Sequence, residues 1–332
     1  MNRLDSEVVA RGLARSRNRA ASLIHDGRIT VNGVTAHKPS FKVNAVDDVK
    51  VVGSSDQQDY ASRASFKLLR TLEAIARETA PSHERADSRP LLALEGSKAL
   101  DVGASTGGFT DVLLRHGAQH VVALDVGHDQ LVDELRRDTR VSVVEGYNAR
   151  ELRPEDLPYT PDLVVCDVSF ISITLILPAL RSIVDGKTNL LLMVKPQFEV
   201  GKHNLGHGGV VRNKQGHSDA LVRVLTAAQQ CGFQPQAIIP SALPGPNGNR
   251  EFFVWLTLDA LRQPTRLGAS DVLMSTEEQE LALEVVAVVQ RAVDNTPDLS
   301  VEGDMIEERG NTLLGKGIPA PANVPATSVY WV

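Results

Sequence analysis

Asp167, Lys195 and Glu251 are set where chemistry is expected, because each stands at the end or the start of an apolar run of strand type. Asp162 to Cys166 runs into Asp167-Val168-Ser169-Phe170, and Asn189 to Val194 runs into Lys195-Pro196-Gln197-Phe198-Glu199. Gln236 to Leu243 leads into the loop Leu243-Pro244-Gly245-Pro246-Asn247-Gly248-Asn249, after which Glu251 to Leu258 returns, the pattern of an antiparallel pair. Strands lie about 4.8 Å apart, so the three groups can converge on one substrate atom. A lysine and carboxylates gathered in this way can take the proton from a weak nucleophile such as a sugar hydroxyl and align it.

A second constellation lies upstream, in Asp101-Val102-Gly103-Ala104-Ser105-Thr106-Gly107-Gly108-Phe109. Dinucleotide sites want Gly-x-Gly-x-x-Gly, yet Ser105 holds the middle position, where a pyrophosphate would press on the backbone. A phosphate-cradling loop needs Gly-Lys before Ser or Thr, and Gly108 is followed by Phe109. The turn therefore suits a ligand without a pyrophosphate, and Asp125, ending the next strand, can take the hydroxyls of a ribose. Together they read as a site for S-adenosylmethionine, held by Asp101, Gly103, Ser105, Thr106, Gly107, Gly108, Asp125 and, near the adenine, Asn148.

The elements that must position these groups alternate. Lys98 to Val102, His120 to Asp125 and Val141 to Glu145 read as strands, and Gly107 to His116 and Gln130 to Asp138 read as helices. That order predicts an α/β fold with a parallel, doubly wound sheet and ligands at the carboxyl ends of its strands. Ser275-x-x-Glu278 opens a further helix with a capping box. The polar stretch 77–89 reads as a loop, and the Pro-rich and Gly-rich residues 296–332 as a flexible tail.

The methyl acceptor can be narrowed. Transfer to a base nitrogen is expected to use Asn or Asp followed by Pro-Pro and an aromatic, and Asp167-Val168-Ser169-Phe170 does not fit. Transfer to pyrimidine carbon needs a thiolate, whereas Cys166 falls within a buried-strand pattern. Ribose oxygen remains. Neither Cys166 nor Cys231 has partners at metal-ligand spacing, so reduced thiols, no metal and a cytoplasmic location are expected. No apolar run is long enough to span a bilayer, and the expected state is a monomer.

Charge is divided unevenly along the 332 residues. Residues 1–42 hold eight basic against three acidic side chains, a net +5, leaving −11 for the rest of a chain at −6. A compact basic segment on an acidic protein predicts docking to phosphates. Its pattern is helix, helix, short hairpin, with Leu13-Ala14-Arg15-Ser16-Arg17, Ala20, Ile24, Gly27, Val31-Asn32-Gly33 and Lys38-Pro39, and it resembles the S4 RNA-binding domain. Arg3, Arg15, Arg17 and Lys38 are the expected contacts to RNA.

Ser62-Arg63-Ala64-Ser65-Phe66-Lys67-Leu68, the Asp101 to Phe109 loop, Asp167 to Ser172, Val194 to Glu199 and Asn249 to Phe253 occur in an order that resembles the TlyA family over roughly residues 3–258. These are rRNA 2′-O-methyltransferases, some labelled haemolysins, with an S4 domain and an FtsJ-like domain. The resemblance implies a Rossmann-like class I methyltransferase with a seven-stranded, mostly parallel sheet behind a small α+β S4 domain. The expected divisions are 1–52, a linker 53–62, a catalytic domain 63–295 and the tail. It further implies S-adenosylmethionine as cofactor, ribosomal subunits as partners, cytidines of 16S and 23S rRNA as targets, and a tetrad of Lys67, Asp167, Lys195 and Glu251. Two neighbouring lysines repel, and the one better shielded from water gives up its proton more readily, which assigns the base to Lys195. Phe170 is expected to stack on a base, and Arg63 and Arg150 to hold flanking phosphates. Ala64 and Phe66 depart from the family's Gly and His, and Tyr60-Ala61 from an aromatic-aliphatic pair. The competing readings are a ribosome-assembly factor without catalysis and, with least support, a membrane-active haemolysin, for which the helix Leu281 to Val293 is short and interrupted by charge.

Overall fold

Leu4, Val8, Ala20, Leu23 and Ile24 recur at helical spacing and are buried together with Ile29, Val43 and Val49. They form the core of the first of two units in the computed structural model, which describes residues 2–14, 17–25, 27–52, 60–79, 92–201, 205–258, 276–296 and 327–332. This unit comprises β1 (Asn2–Arg3), α1 (Leu4–Ala10), α2 (Arg17–His25), β2 (Ile29–Val31), β3 (Val34–Ala36), β4 (Lys42–Val43) and β5 (Val49–Val51). β2 pairs antiparallel with β3 and β5, and β1 with β4. Arg15 and residues 53–59 of the expected linker lie outside the described residues, as do 80–89 of the polar stretch and 297–326 of the tail.

The second unit runs from Tyr60, which is 1% exposed and meets Phe66 edge-on at 5.4 Å. Its elements are α3 (Ala64–Thr79), β6 (Lys98–Val102), α4 (Gly108–Arg115), β7 (His120–Leu124), α5 (Asp133–Arg137), β8 (Val141–Val144), β9 (Leu163–Cys166), α6 (Leu177–Ser182), β10 (Asn189–Val194), α7 (Pro196–Glu199), α8 (Lys214–Gln230), β11 (Phe233–Pro240), β12 (Phe252–Leu258), α9 (Thr276–Asp294) and β13 (Tyr330–Trp331). The strands form one sheet in the order β13-β11-β12-β10-β9-β6-β7-β8, with parallel pairing from β10 to β8 and antiparallel pairing elsewhere. Strands covered on both faces need apolar side chains throughout, and Leu163 to Cys166 and Leu190 to Val194 supply them. This is the mostly parallel α/β sheet expected.

Three details differ from the sequence reading. The sheet has eight strands rather than seven, because Tyr330–Trp331 pair with Ile238 and Ala237 at the edge. The end of the expected flexible tail is therefore ordered, and its anchor is Trp331 packed on the buried Trp255 at 5.6 Å. β11 begins at Phe233, ahead of Pro235, because a register shift between Pro235 and Ala237 accommodates the missing N–H. α3 extends to Thr79, so residues 77–79 of the expected loop are helical.

Trp331→Ala should destabilise the second unit by about 2 kcal/mol, less than the about 3–5 typical of a fully buried aromatic, since Trp331 is only half-buried. Urea unfolding of the full chain followed by circular dichroism measures this, and an unchanged midpoint would show that the edge strand adds nothing.

Candidate active site

Val194 on β10 lies opposite Phe252 on β12, and one residue beyond that pair stand Lys195 and Glu251, facing each other at the sheet's edge. β9 is the other neighbour of β10 and runs directly into Asp167. The Lys195 ammonium lies 2.7 Å from Asp167 Oδ1 and donates to Ser169 Oγ at 2.7 Å. From α3, Lys67 donates to Glu251 Oε2 at 2.5 Å and reaches within 3.9 Å of Met193 Sδ, two residues before Lys195 on the same strand. The four expected residues thus assemble as two lysine–carboxylate pairs.

Shielding does not separate the lysines, whose side chains are 9% and 8% exposed. Their partners do. Glu251 is enclosed, with its Oε1 so close under Gly245 that a Cβ there would overlap it, whereas Asp167 leads into the exposed Ser169 and Phe170. Lys195 therefore sits on the open side of the cluster.

The Asp101 loop meets this cluster through backbone. Gly103 has φ +82°, and a Cβ on it would lie 2.9 Å from the Asp167 carbonyl oxygen. Asp101 is fully buried. Its Oδ2 accepts from Thr110 N and Oγ1, its Oδ1 has no hydrogen-bond partner among the described residues, and burial pushes its pKa up to about 7. Asp125 accepts from Ser105 N at 2.8 Å and Gly127 N at 2.7 Å, which ties the Ser105 turn, at φ +47°, to the end of β7. Thr106 accepts through its carbonyl from Val132 N. Gly107 and Gly108 serve packing, since Cβ atoms there would strike Leu135 and Ser62. Asn148 caps a short turn, accepting from Arg150 N and donating to Glu151, so its amide is engaged locally.

Phe170 is 92% exposed with φ +65°, its ring 5.3 Å from that of Phe198. Arg63 reaches the Pro244 carbonyl at 3.5 Å, and Arg150 is exposed. In the first unit Arg3 and Arg17 share the buried Asp5, whose pKa falls well below the usual carboxylate range through the Arg3 hydrogen bond, with Arg17 adding and burial opposing. Lys38 is exposed. Burial pushes the Cys166 thiol up to about 12, which leaves it no thiolate chemistry.

Sequence reasoning passed over three participants. Ser169 holds Lys195, Gly245 admits Glu251, and Val126, next after Asp125, is an apolar side chain 71% exposed.

Among the described residues, no group of three or more His, Cys, Asp and Glu side chains could hold a metal, and no helix is long and apolar enough to cross a membrane. The FtsJ-like methyltransferase family matches residues 60–258 and the S4 domain family residues 2–49. The chain is 43% identical to the 16S/23S rRNA (cytidine-2′-O)-methyltransferase TlyA of Mycobacterium tuberculosis over 82% of this chain and 95% of that one. It is 36% identical to Hemolysin A of Brachyspira hyodysenteriae over 75% of this chain and 97% of that one. A solved structure under the hemolysin name from Streptococcus thermophilus superposes with a TM-score of 0.56 at 34% identity, covering 86% of this chain and 95% of that one.

Because Asp101 keeps its proton to about pH 7 when folded but releases it near 3.8 when unfolded, the folded chain binds more protons in that window. This contribution to stability is present below pH 3.8 and is lost as pH rises through about 7. Asp101→Asn should flatten that part of the stability profile, as measured by urea unfolding at a series of pH values. A wild-type profile without such a fall would contradict the burial argument.

Proposed function

This chain belongs to the TlyA family of FtsJ-like methyltransferases with an S4 domain, and on that premise we propose that it methylates ribose 2′-oxygens of ribosomal RNA using S-adenosylmethionine. One observation carries the reading: the two lysine–carboxylate pairs stand at the sheet edge that also bears the Gly103 turn. The targets are cytidines of 16S and 23S rRNA, as the names of the relatives suggest, and the setting is the cytoplasm.

The residues fit the cofactor. The Asp125 carboxylate suits the hydroxyls of a ribose, the unpartnered Oδ1 of Asp101 is a polar atom left for a further hydrogen bond, and the Ser105 turn carries a left-handed backbone beside them. Asp101, Gly103, Ser105, Thr106 and Asp125 would hold it, with Gly107 and Gly108 shaping the turn. Asn148 contributes near the adenine only through its fixed backbone, since its amide caps a turn. When bound, S-adenosylmethionine supplies an electrophilic methyl group on a sulfonium.

Lys195 takes the 2′-hydroxyl proton, and Asp167 and Ser169 hold and orient its side-chain nitrogen. Lys67 and Glu251 hold the second pair against the first and keep water from the reacting oxygen. Phe170 stacks on an unstacked base, and Arg63 and Arg150 hold flanking phosphates. Arg3, Arg15, Arg17 and Lys38 dock the S4 unit on rRNA phosphates. We assign the described division at Tyr60 as the start of the catalytic domain, with residues 1–52 as the RNA-docking domain.

Purified chain and ribosomal subunits, with S-adenosylmethionine added, should give methylated riboses at defined cytidines when the rRNA is mapped. Lys195→Ala should abolish the modification while cofactor and subunits still bind, and Phe170→Ala should keep cofactor binding but lose most activity. Substantial turnover by Lys195→Ala would refute the tetrad. A wild-type chain that binds both ligands and never transfers the methyl group would favour the assembly-factor reading.

Each phosphate contact adds about 0.7 to 0.9 to the log–log slope of affinity against salt. Replacing Arg3 or Arg17 with Ala should therefore reduce the slope for subunit binding by about that amount. Slopes equal to wild type would remove these arginines from the interface.

A further inference from the structure

Glu199 is a carboxylate with no part in the proton transfer, yet it is 2% exposed. It closes α7, the four-residue helix that starts directly after Lys195. Its Oε2 accepts from Ser172 Oγ at 2.5 Å and its Oε1 from Ile173 N at 2.8 Å, while its carbonyl accepts from Arg223 Nη1 of α8 at 2.9 Å. Ser172 and Ile173 end the loop that carries Asp167, Ser169 and Phe170. Burial raises the pKa of Glu199, and the bonds from Ser172 and Ile173 oppose that rise.

The loop needs such an anchor. Phe170 holds a left-handed backbone at φ +65°, a strained conformation for an aromatic residue that persists only where the surroundings fix it. On one side the fixture is Asp167 N donating to Val102 O at 3.0 Å. On the other it is Glu199. The two ends of the loop are thus tied to β6 and to the turn that presents Lys195.

Resting on the tetrad reading above, we infer that Glu199 is a positioning residue: by clasping Ser172 and Ile173 it locks the Asp167–Ser169–Phe170 loop to the Lys195 turn. Lys195 and its two partners then move as one body, and Phe170 stays poised against Phe198. Without the clasp the backbone at Phe170 relaxes, and Asp167 and Ser169 lose their alignment with Lys195. Displacement of reacting groups by about 1 Å can cost about a hundredfold in rate.

The test uses the full-length chain with purified ribosomal subunits. Glu199→Ala should lower kcat by about a hundredfold, with cofactor affinity and the KM for subunits within about threefold of wild type. Glu199→Gln should recover kcat to within about fivefold, because its carbonyl can accept from Ile173 N and its amide can donate to Ser172 Oγ. A fluorinated phenylalanine at 170 should change its ¹⁹F resonance in Glu199→Ala and return towards wild type in Glu199→Gln. Wild-type kcat in a folded Glu199→Ala overturns the inference. So does equal loss in the Ala and Gln variants accompanied by a collapsed melting temperature and lost cofactor binding, which marks a structural role only. Lys195→Ala is assayed in parallel: its activity, if retained, sinks the tetrad itself, whereas a dead Lys195→Ala beside a normal Glu199→Ala sinks the clasp alone.

Discussion

An ammonium group withdrawn from water costs several kcal/mol unless a carboxylate lies against it, and this fold has to meet that demand twice within one cluster. Four separate elements supply the groups: α3, the end of β9, the end of β10 and the start of β12. Removing any one would leave its partner buried and uncompensated, which is costlier than never having had the pair. The architecture follows from this requirement. An antiparallel β12 beside a parallel β10 brings the beginning of one strand to the end of the other, which a uniformly parallel sheet could not do.

The second dependence is a backbone contact. Gly103 lies so close to the Asp167 carbonyl that no side chain fits between them, and Asp167 N is bonded to Val102. The Gly103 turn and the loop that begins at Asp167 are therefore neighbours without intervening atoms. Movement in one is transmitted to the other as displacement, not through a chain of flexible side chains.

Much of this was legible in the sequence because strand ends are. A buried parallel strand is an uninterrupted apolar run, so the first charged residue after it, Asp167 or Lys195, marks the sheet edge. Partners that depend on the path of a loop were not legible. Ser169, which meets Lys195, and Ser172, which meets Glu199, stand on either side of Phe170, whose left-handed backbone nothing in Val168-Ser169-Phe170-Ile171 announces. The amide of Asn148 was claimed by a local turn, a competition that short polar side chains often win. β13 escaped notice because two apolar residues after a Pro-rich stretch carry no periodicity, and its order comes from a long-range contact with Trp255. Relative shielding of the lysines was also beyond reach, since both prove equally enclosed and only their partners differ.

The ring contact that fastens β13 has an optical meaning as well. This sequence contains two tryptophans, and Trp255 of β12 and Trp331 of β13 are both in that one contact, which reaches across β11 on the antiparallel flank of the sheet. Intrinsic emission from the protein is consequently a local gauge of whether the terminal ribbon is docked. Titrants that fill the Gly103 turn should leave the emission almost unchanged, while mild denaturant that peels the ribbon away should alter it before the parallel strands yield.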